Sequence, residues 1–250
     1  MKRHETKICG LAAVRARFER APESVVRLFF DASTAKKVGA MCAALARARK
    51  VYRCVEAAEL EKIAESIHHG GVVAVVDEPP PRAPTAPLAS EWYRRRENLL
   101  VLDRVGNAHN LGAIARTAAF FGVPRLVIAG DATAARPGPA AYRVAEGGLD
   151  AIEVWTAPDI PLLLGMLARA GFEVLGAAAR GGEPGPLGAR PWALVLGNEE
   201  HGLSPAAESA CTRLLTIPGS GKVESLNVSA AAAVLIHELS GRSAGAPRRA

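Results

Sequence analysis

The sequence predicts an α/β protein in two parts: a small α/β unit, then a larger one built on a mostly parallel sheet flanked by helices. Three observations carry that expectation. Strand-like and helix-like stretches alternate from Gly10 to Leu239. The strand candidates of the second part, such as Ala193–Leu196, are apolar without alternation, as strands covered on both faces are. A proline-rich stretch, Asp77–Pro87, can continue neither element and reads as a linker between the parts.

In the first part, Gly10–Arg20 reads as a helix and Val25–Phe30 as a strand. Ala35–Arg49 is rich in alanine, the strongest helix former, and reads as a second helix. Val51–Val55 is another strand candidate, Ala57–Ser66 a third helix, and Gly71–Val76 a buried strand from its unbroken apolar run. In the second part, Leu99–Leu102, Arg125–Ala129, Ala151–Trp155, Glu173–Ala177, Ala193–Leu196 and Arg213–Ile217 are the strand candidates. Leu111–Phe121, Ile160–Ala170 and Val228–Leu239 are the helices between and after them. Gly241–Ala250 reads as a basic, disordered tail.

At 250 residues and 49% hydrophobic, the chain has enough apolar content for a sizeable core. The start, Met1–Lys7, is too polar for a signal peptide, and no run approaches the ~20 apolar residues of a membrane span, so a cytoplasmic protein without a membrane partner is expected. Cys9, Cys42, Cys54 and Cys211 are scattered, with no CxxC pair; buried thiols are expected rather than disulfides or a metal site. The net charge of +6 is unevenly placed: residues 1–76 hold 14 Lys/Arg against 8 Asp/Glu, and residues 77–250 hold 17 of each. A basic excess confined to one segment suits a polyanion such as a nucleic acid, or serves as a solubilising face.

Three polar turns follow apolar strands and suggest one composite site. Asn110 opens a helix and reads equally as an N-cap or as a site residue; Arg116, on an otherwise apolar helix, reads as a surface side chain or a phosphate clamp. Leu194–Leu196 runs into Gly197-Asn-Glu-Glu-His-Gly202, and a loop at the carboxyl end of a parallel strand is where open α/β sheets bind ligands. Glu199 there either holds a hydroxyl or amino group or sits in water, and His201 reads as a surface or packing residue rather than a catalyst. The last turn, Pro218–Asn227, is glycine-rich. It is not a phosphate-binding Walker loop, because Thr216 and Val223 stand where such a loop needs Gly and Ser/Thr.

Together, Asn110-Leu-Gly-Ala-Ile-Ala-Arg116, Leu196-Gly-Asn-Glu-Glu-His-Gly202 and Ile217-Pro-Gly-Ser-Gly-Lys-Val-Glu-Ser-Leu-Asn227 resemble the three motifs of the SpoU (TrmH-like) RNA methyltransferases, in order and with the family's spacing. Ile8-Cys-Gly-Leu-Ala-Ala-Val14 and His69-Gly-Gly-Val-Val-Ala74 are similar to the opening and closing of that family's ribosomal-protein-like substrate domain. The resemblance implies an RNA-binding unit at 1–76, a linker at 77–97, a catalytic domain at 98–242 with a deep trefoil knot, and a tail at 243–250. It further implies ribose 2′-O methylation of ribosomal or transfer RNA by an obligate homodimer, with S-adenosylmethionine as cofactor and no metal. On matching positions, Asn110, Arg116, Glu199, Ser225 and Asn227 form the implied catalytic set, and Leu196, Gly197, Ile217, Pro218 and Leu226 the cofactor set. Ala108-His109 stand where the family often has Asp-Pro, so His109 is either an RNA contact or turn filler. Trp92-Tyr-Arg-Arg-Arg96 either stacks on a nucleotide or anchors the linker. Two other readings stay open: methylation of a base nitrogen, and a non-catalytic RNA-binding protein with a vestigial pocket.

Overall fold

The computed structural model describes residues 4–80, 82–183 and 190–241; the expected tail at 243–250 lies outside them. The first unit holds β1 (His4–Cys9), α1 (Leu11–Arg20), β2 (Val25–Phe30), α2 (Gly39–Arg47), β3 (Val51–Cys54), α3 (Ala57–Ala64) and β4 (Val72–Glu78). Its sheet runs in the order β1-β4-β2-β3, with β4 antiparallel to both β1 and β2, and β3 parallel to β2. The central position of β4 explains its apolar run, Val72–Val76, which is buried throughout. At the sheet's edge, all four residues of β3 are exposed, so Cys54 is not the buried thiol the sequence suggested. Cys9 is buried, and burial pushes its thiol up to about 11 against the pull of Lys7 and Arg143.

After α4 (Ala86–Arg94), the second unit runs β5 (Leu99–Leu102), α5 (Ala108–Phe121), β6 (Arg125–Ala129), α6 (Pro139–Ala145), α7 (Gly148–Ala151), β7 (Glu153–Ala157), α8 (Ile160–Ala170), β8 (Glu173–Ala177), β9 (Trp192–Leu196), α9 (Pro205–Ala210), β10 (Arg213–Leu215) and α10 (Val228–Gly241). Its six strands lie in the order β10-β8-β9-β5-β6-β7, and every pairing is parallel. Side chains alternate across this sheet. Leu100, Leu102, Leu126 and Ile128 face one core, and Leu99, Val101, Val127 and Ala129 the other. Both faces are covered, which is why these strands read as unbroken apolar runs.

The expected linker is more structured than its prolines suggested. β4 extends through Asp77 and Glu78, and α4 fills the second half of the stretch, with Pro87 in its first turn. Proline is tolerated there because that position's N–H has no intrahelical partner. Trp92 is buried edge-on to Trp155 at 5.4 Å, with the Arg125 guanidinium 4.8 Å from its ring centroid. The Trp92–Arg96 cluster therefore anchors α4 to the second unit, and its tryptophan has no free face for a nucleotide.

The two units share a core. One cluster of buried side chains includes Ile8, Val14 and Leu28 with Tyr142, Leu111 and Leu194. A polar knot sits at this junction. Arg17 of α1 donates to Asp150 of α7 at 2.6 Å and to the Tyr142 hydroxyl at 3.0 Å, and is also ion-paired with Glu78. Tyr142 in turn donates to Glu78 at 2.9 Å. Burial works against the Arg17 charge, but Tyr142, Asp150 and Glu78 outweigh it and hold the guanidinium pKa above its ordinary value.

Candidate functional site

The sheet order sets the site. β5 and β9 are neighbours, yet the chain leaves β5 toward β6 and β7 and returns to β9 only after β8. Loops following two such strands diverge at their carboxyl ends and leave a crevice, the usual ligand position in open parallel sheets. The loop after β5 leads into α5, and the loop after β9 carries Glu199.

Glu199 joins the two loops. One carboxylate oxygen accepts the Gly106 N–H at 3.0 Å; the other accepts the Asn107 N–H at 3.1 Å and the Asn110 side-chain amide at 2.8 Å. Burial alone would raise the Glu199 pKa, but the Asn110 amide and the Gly106, Asn107 and its own backbone N–H groups overcome that and hold it below the ordinary 4.5. The group is an anion at neutral pH, anchored at the positive end of α5.

Asn110 continues the chain of contacts. Its carbonyl oxygen accepts the Asn227 side-chain amide at 3.1 Å, and Asn227 accepts the Ser229 N–H at 2.9 Å at the start of α10. Asn227, Asn110 and Glu199 thus form one relay across all three predicted motifs. Asn110 is not an N-cap: α5 begins earlier, and Asn107 caps it by accepting the His109 N–H at 2.8 Å. A second asparagine three residues before Asn110 was the missed signal. Capping by Asn107 frees the Asn110 side chain for Glu199 and Asn227.

Arg116 and Ser225 do not join the relay. Arg116 lies six residues along α5 from Asn110, about 9 Å down the axis, and pairs with Glu146 at 3.0 Å; both side chains are more than half exposed. Gly148 lets α7 press on α5 there, since a Cβ would come within 2.7 Å of the Arg116 Cα. Ser225 is exposed and makes no hydrogen bond among the described residues. His201 is exposed as expected, and His109 is exposed on the first turn of α5.

The residues of the cofactor set lie on two loops. Leu196 and Gly197 end β9, and Ile217, Pro218 and Leu226 follow β10, with β8 between these strands. Two strand spacings separate the loops, about 10 Å, over the carboxyl end of β8. Leu196 and Gly197 are buried, Ile217 half-buried, and Pro218 and Leu226 exposed. From Ile217 to Leu226, the described backbone N–H groups make one hydrogen bond, Lys222 to Ser220 Oγ at 3.4 Å, so the turn keeps its donors for a ligand. Gly197 is fixed by space, because a Cβ would overlap the backbone of Gly202 and Leu203. Gly197→Ala is expected to cost about 3 kcal/mol by overpacking, read as a lowered Tm; an unchanged Tm would show that the loop yields. Among the described residues, no group of three or more His, Cys, Asp or Glu could hold a metal ion, and no helix is long and apolar enough to cross a membrane.

Comparison with known proteins agrees with this geometry. The family model described as SpoU rRNA Methylase family matches residues 97–237, and that described as RNA 2′-O ribose methyltransferase substrate binding matches residues 7–82. A protein of Escherichia coli O157:H7 named uncharacterized tRNA/rRNA methyltransferase YfiF is 33% identical over 94% of this chain and 67% of its own. A Nitrosomonas europaea protein named 23S rRNA (guanosine-2′-O-)-methyltransferase RlmB is 32% identical over 94% of this chain and 91% of its own. Among solved structures, a putative RNA methyltransferase of the TrmH family from Porphyromonas gingivalis aligns with a TM-score of 0.74 at 28% identity, covering 96% of this chain and 90% of that one. The SpoU methyltransferase AviRb from Streptomyces viridochromogenes, solved in complex with AdoMet, shares the fold with a TM-score of 0.77 at 24% identity, covering 97% and 92%. With its three polar motifs on neighbouring loops and more than half its length matched by the family model, the chain belongs to the SpoU rRNA methylase family.

Proposed function

We propose that this chain transfers a methyl group from S-adenosylmethionine to a ribose 2′-hydroxyl of ribosomal or transfer RNA, as a homodimer in the cytoplasm. The relay from Asn227 through Asn110 to Glu199, at the carboxyl ends of adjacent parallel strands, is the observation that carries this reading. In this reading residues 1–76 capture RNA, 77–97 link, and 98–242 catalyse, with the β10–α10 region threaded as the family's trefoil knot. The cofactor loops fit the donor: one wall, at Gly197, has no room for a side chain, and the other, Ile217–Leu226, offers unused peptide N–H groups beside apolar Ile217 and Leu226. When bound, S-adenosylmethionine supplies an electrophilic sulfonium methyl.

The protein's task is then to hold a weak nucleophile in line. Glu199 keeps acceptor capacity beyond these three partners, enough to take a ribose hydroxyl or a substrate N–H. Arginine's very high pKa makes it a costly base, and Arg116 is better suited to a phosphate. Its surface pair with Glu146 is worth at most about 1 kcal/mol and is readily exchanged for RNA. Arg116 shares a helix face with Phe120, four residues on, which is 82% exposed. An uncovered aromatic beside a site residue supports a dimer in which the partner brings its own arginine to this relay.

Arg116→Lys keeps the charge and loses the bidentate fork. It is expected to raise the KM for RNA about tenfold without changing cofactor affinity; near-normal methyl transfer at neutral pH would remove both the clamp and any base role. The function itself is tested by mapping ribose methylation across total RNA with and without the protein. A methyl group that stays with the nucleobase after nucleoside digestion would favour the base-nitrogen alternative. Failure of the folded protein to bind S-adenosylmethionine would favour a vestigial pocket.

A further inference from the structure

A cleft of about 370 Å³ opens where the two units meet. Glu65, Ser66 and His68 line it from the first unit, and His109, Pro139 and Arg143 from the second. That volume lies at the small end of ligand pockets and suits a single nucleotide.

The lining is cationic in balance. Its carboxylate, Glu65, is already paired with Lys7 at 2.7 Å. Arg143 is half-buried and makes no hydrogen bond or ion pair among the described residues. The other arginines at this depth or deeper, Arg17, Arg27, Arg104, Arg125 and Arg213, all carry carboxylate partners. A partly desolvated guanidinium with its donors unused is a cost that folding alone does not explain; an anion from outside would satisfy it. The side chains of His68 and His109 are likewise without hydrogen bonds among the described residues, one on each wall. His109 also stands next to Asn110 on the first turn of α5, so the cleft adjoins the relay.

We propose that this cleft seats the RNA nucleotide neighbouring the one that is methylated, with Arg143 on its phosphate and His68 and His109 against its sugar or base. The assignment rests on the RNA methyltransferase reading and adds to it a subsite that only the docked units create. It makes the first unit a wall of the substrate channel as well as a basic tether.

The test uses the full chain, with filter binding to unmethylated transcripts of 23S rRNA and a tRNA pool across a salt series. Arg143→Gln is expected to weaken RNA binding about tenfold and to lower the salt slope by about one. The KM for RNA should rise in parallel, while S-adenosylmethionine affinity and Tm stay unchanged; Arg143→Lys should recover part of the loss. Arg169→Gln, at an exposed position of α8, is the control and should cost little. The cleft assignment is overturned if Arg143→Gln binds within about twofold of the parent, or no worse than Arg169→Gln. It is also overturned if inorganic phosphate binds the parent but not Arg143→Gln and yet, at matched ionic strength, leaves RNA binding by the parent unchanged, which would mark a free-anion site. If the parent binds RNA through Arg143 yet methylates none, the RNA cleft stands and the methyltransferase reading fails.

Discussion

Replacing Arg17 with methionine is expected to destabilise the protein by about 3–5 kcal/mol, the usual penalty for removing one partner of a buried ion pair. Arg17 and Asp150 side chains are 9% and 2% exposed, so water cannot take over from the lost guanidinium. Asp150 already has one buried oxygen without a partner, and the variant would leave both unpaired by arginine. The loss also has a predicted pH dependence. Burial raises the Asp150 pKa above the ordinary 3.8, and Arg17 counters it. Without Arg17, burial acts largely unopposed and the folded-state pKa rises further. A carboxyl whose pKa is higher folded than unfolded costs stability above its folded value and ceases to do so below its unfolded one. The defect should therefore be full above the raised folded value and shrink as pH falls from there toward 3.8. Thermal and urea unfolding at several pH values checks both parts; a loss below about 1 kcal/mol would show that the units dock without this knot. The same residues bear on truncation: cutting at residue 76 removes Arg17 and most of β4, and strands Glu78, Asp150 and Tyr142 without it.

Glu199→Ala is expected to lower kcat for methyl transfer about a hundredfold, the scale associated with a displacement of about 1 Å in a reacting geometry. The carboxylate holds the Gly106 and Asn107 N–H groups and the Asn110 amide at once. Removing it frees Asn110 to rotate and leaves the amide of Asn227 bonded to a side chain no longer fixed. Glu199→Gln separates geometry from charge: it keeps the shape, but its NH₂ group must face at least one N–H donor. It should recover less than tenfold of the loss, about 1 kcal/mol. Because folding lowers the Glu199 pKa, its contribution to stability is present above pH 4.5 and is lost as pH falls through the lower folded value. Single-turnover methyl transfer, with cofactor affinity measured alongside, checks the prediction; Glu199→Ala at parental rates would remove Glu199 from the catalytic set.

Much of the fold was legible where one physical signal dominated. The limits of β2, β5, β6, β8 and α8 follow directly from apolar runs and helical spacing. Three helices were missed: α4, α6 and α9 have proline in their first turn, as α8 does, but at 9, 7 and 6 residues against its 11 they leave less helical spacing to read after it. Ala151 was placed in a strand but ends α7, and β7 starts at Glu153. β1 was missed because its first residues are polar, and only the pairing with β4 makes them a strand. At the site, the resemblance pointed to Asn110, Arg116, Glu199, Ser225 and Asn227, of which Asn110, Glu199 and Asn227 meet while Arg116 and Ser225 stand apart. The junction stayed invisible: Arg17 and Asp150 are 133 residues apart, and no local pattern announces their contact.

The parallel sheet also dictates when this protein can work. Asn110 meets Glu199 across 89 residues and Asn227 across 117. Such distant contacts pay their loop-closure entropy before they return any stability, so they form late and slowly. A chain emerging from the ribosome carries a complete first unit long before it has any relay. The relay therefore waits until Asn227 has been made, and any chain that stops short of it lacks the contact by topology alone.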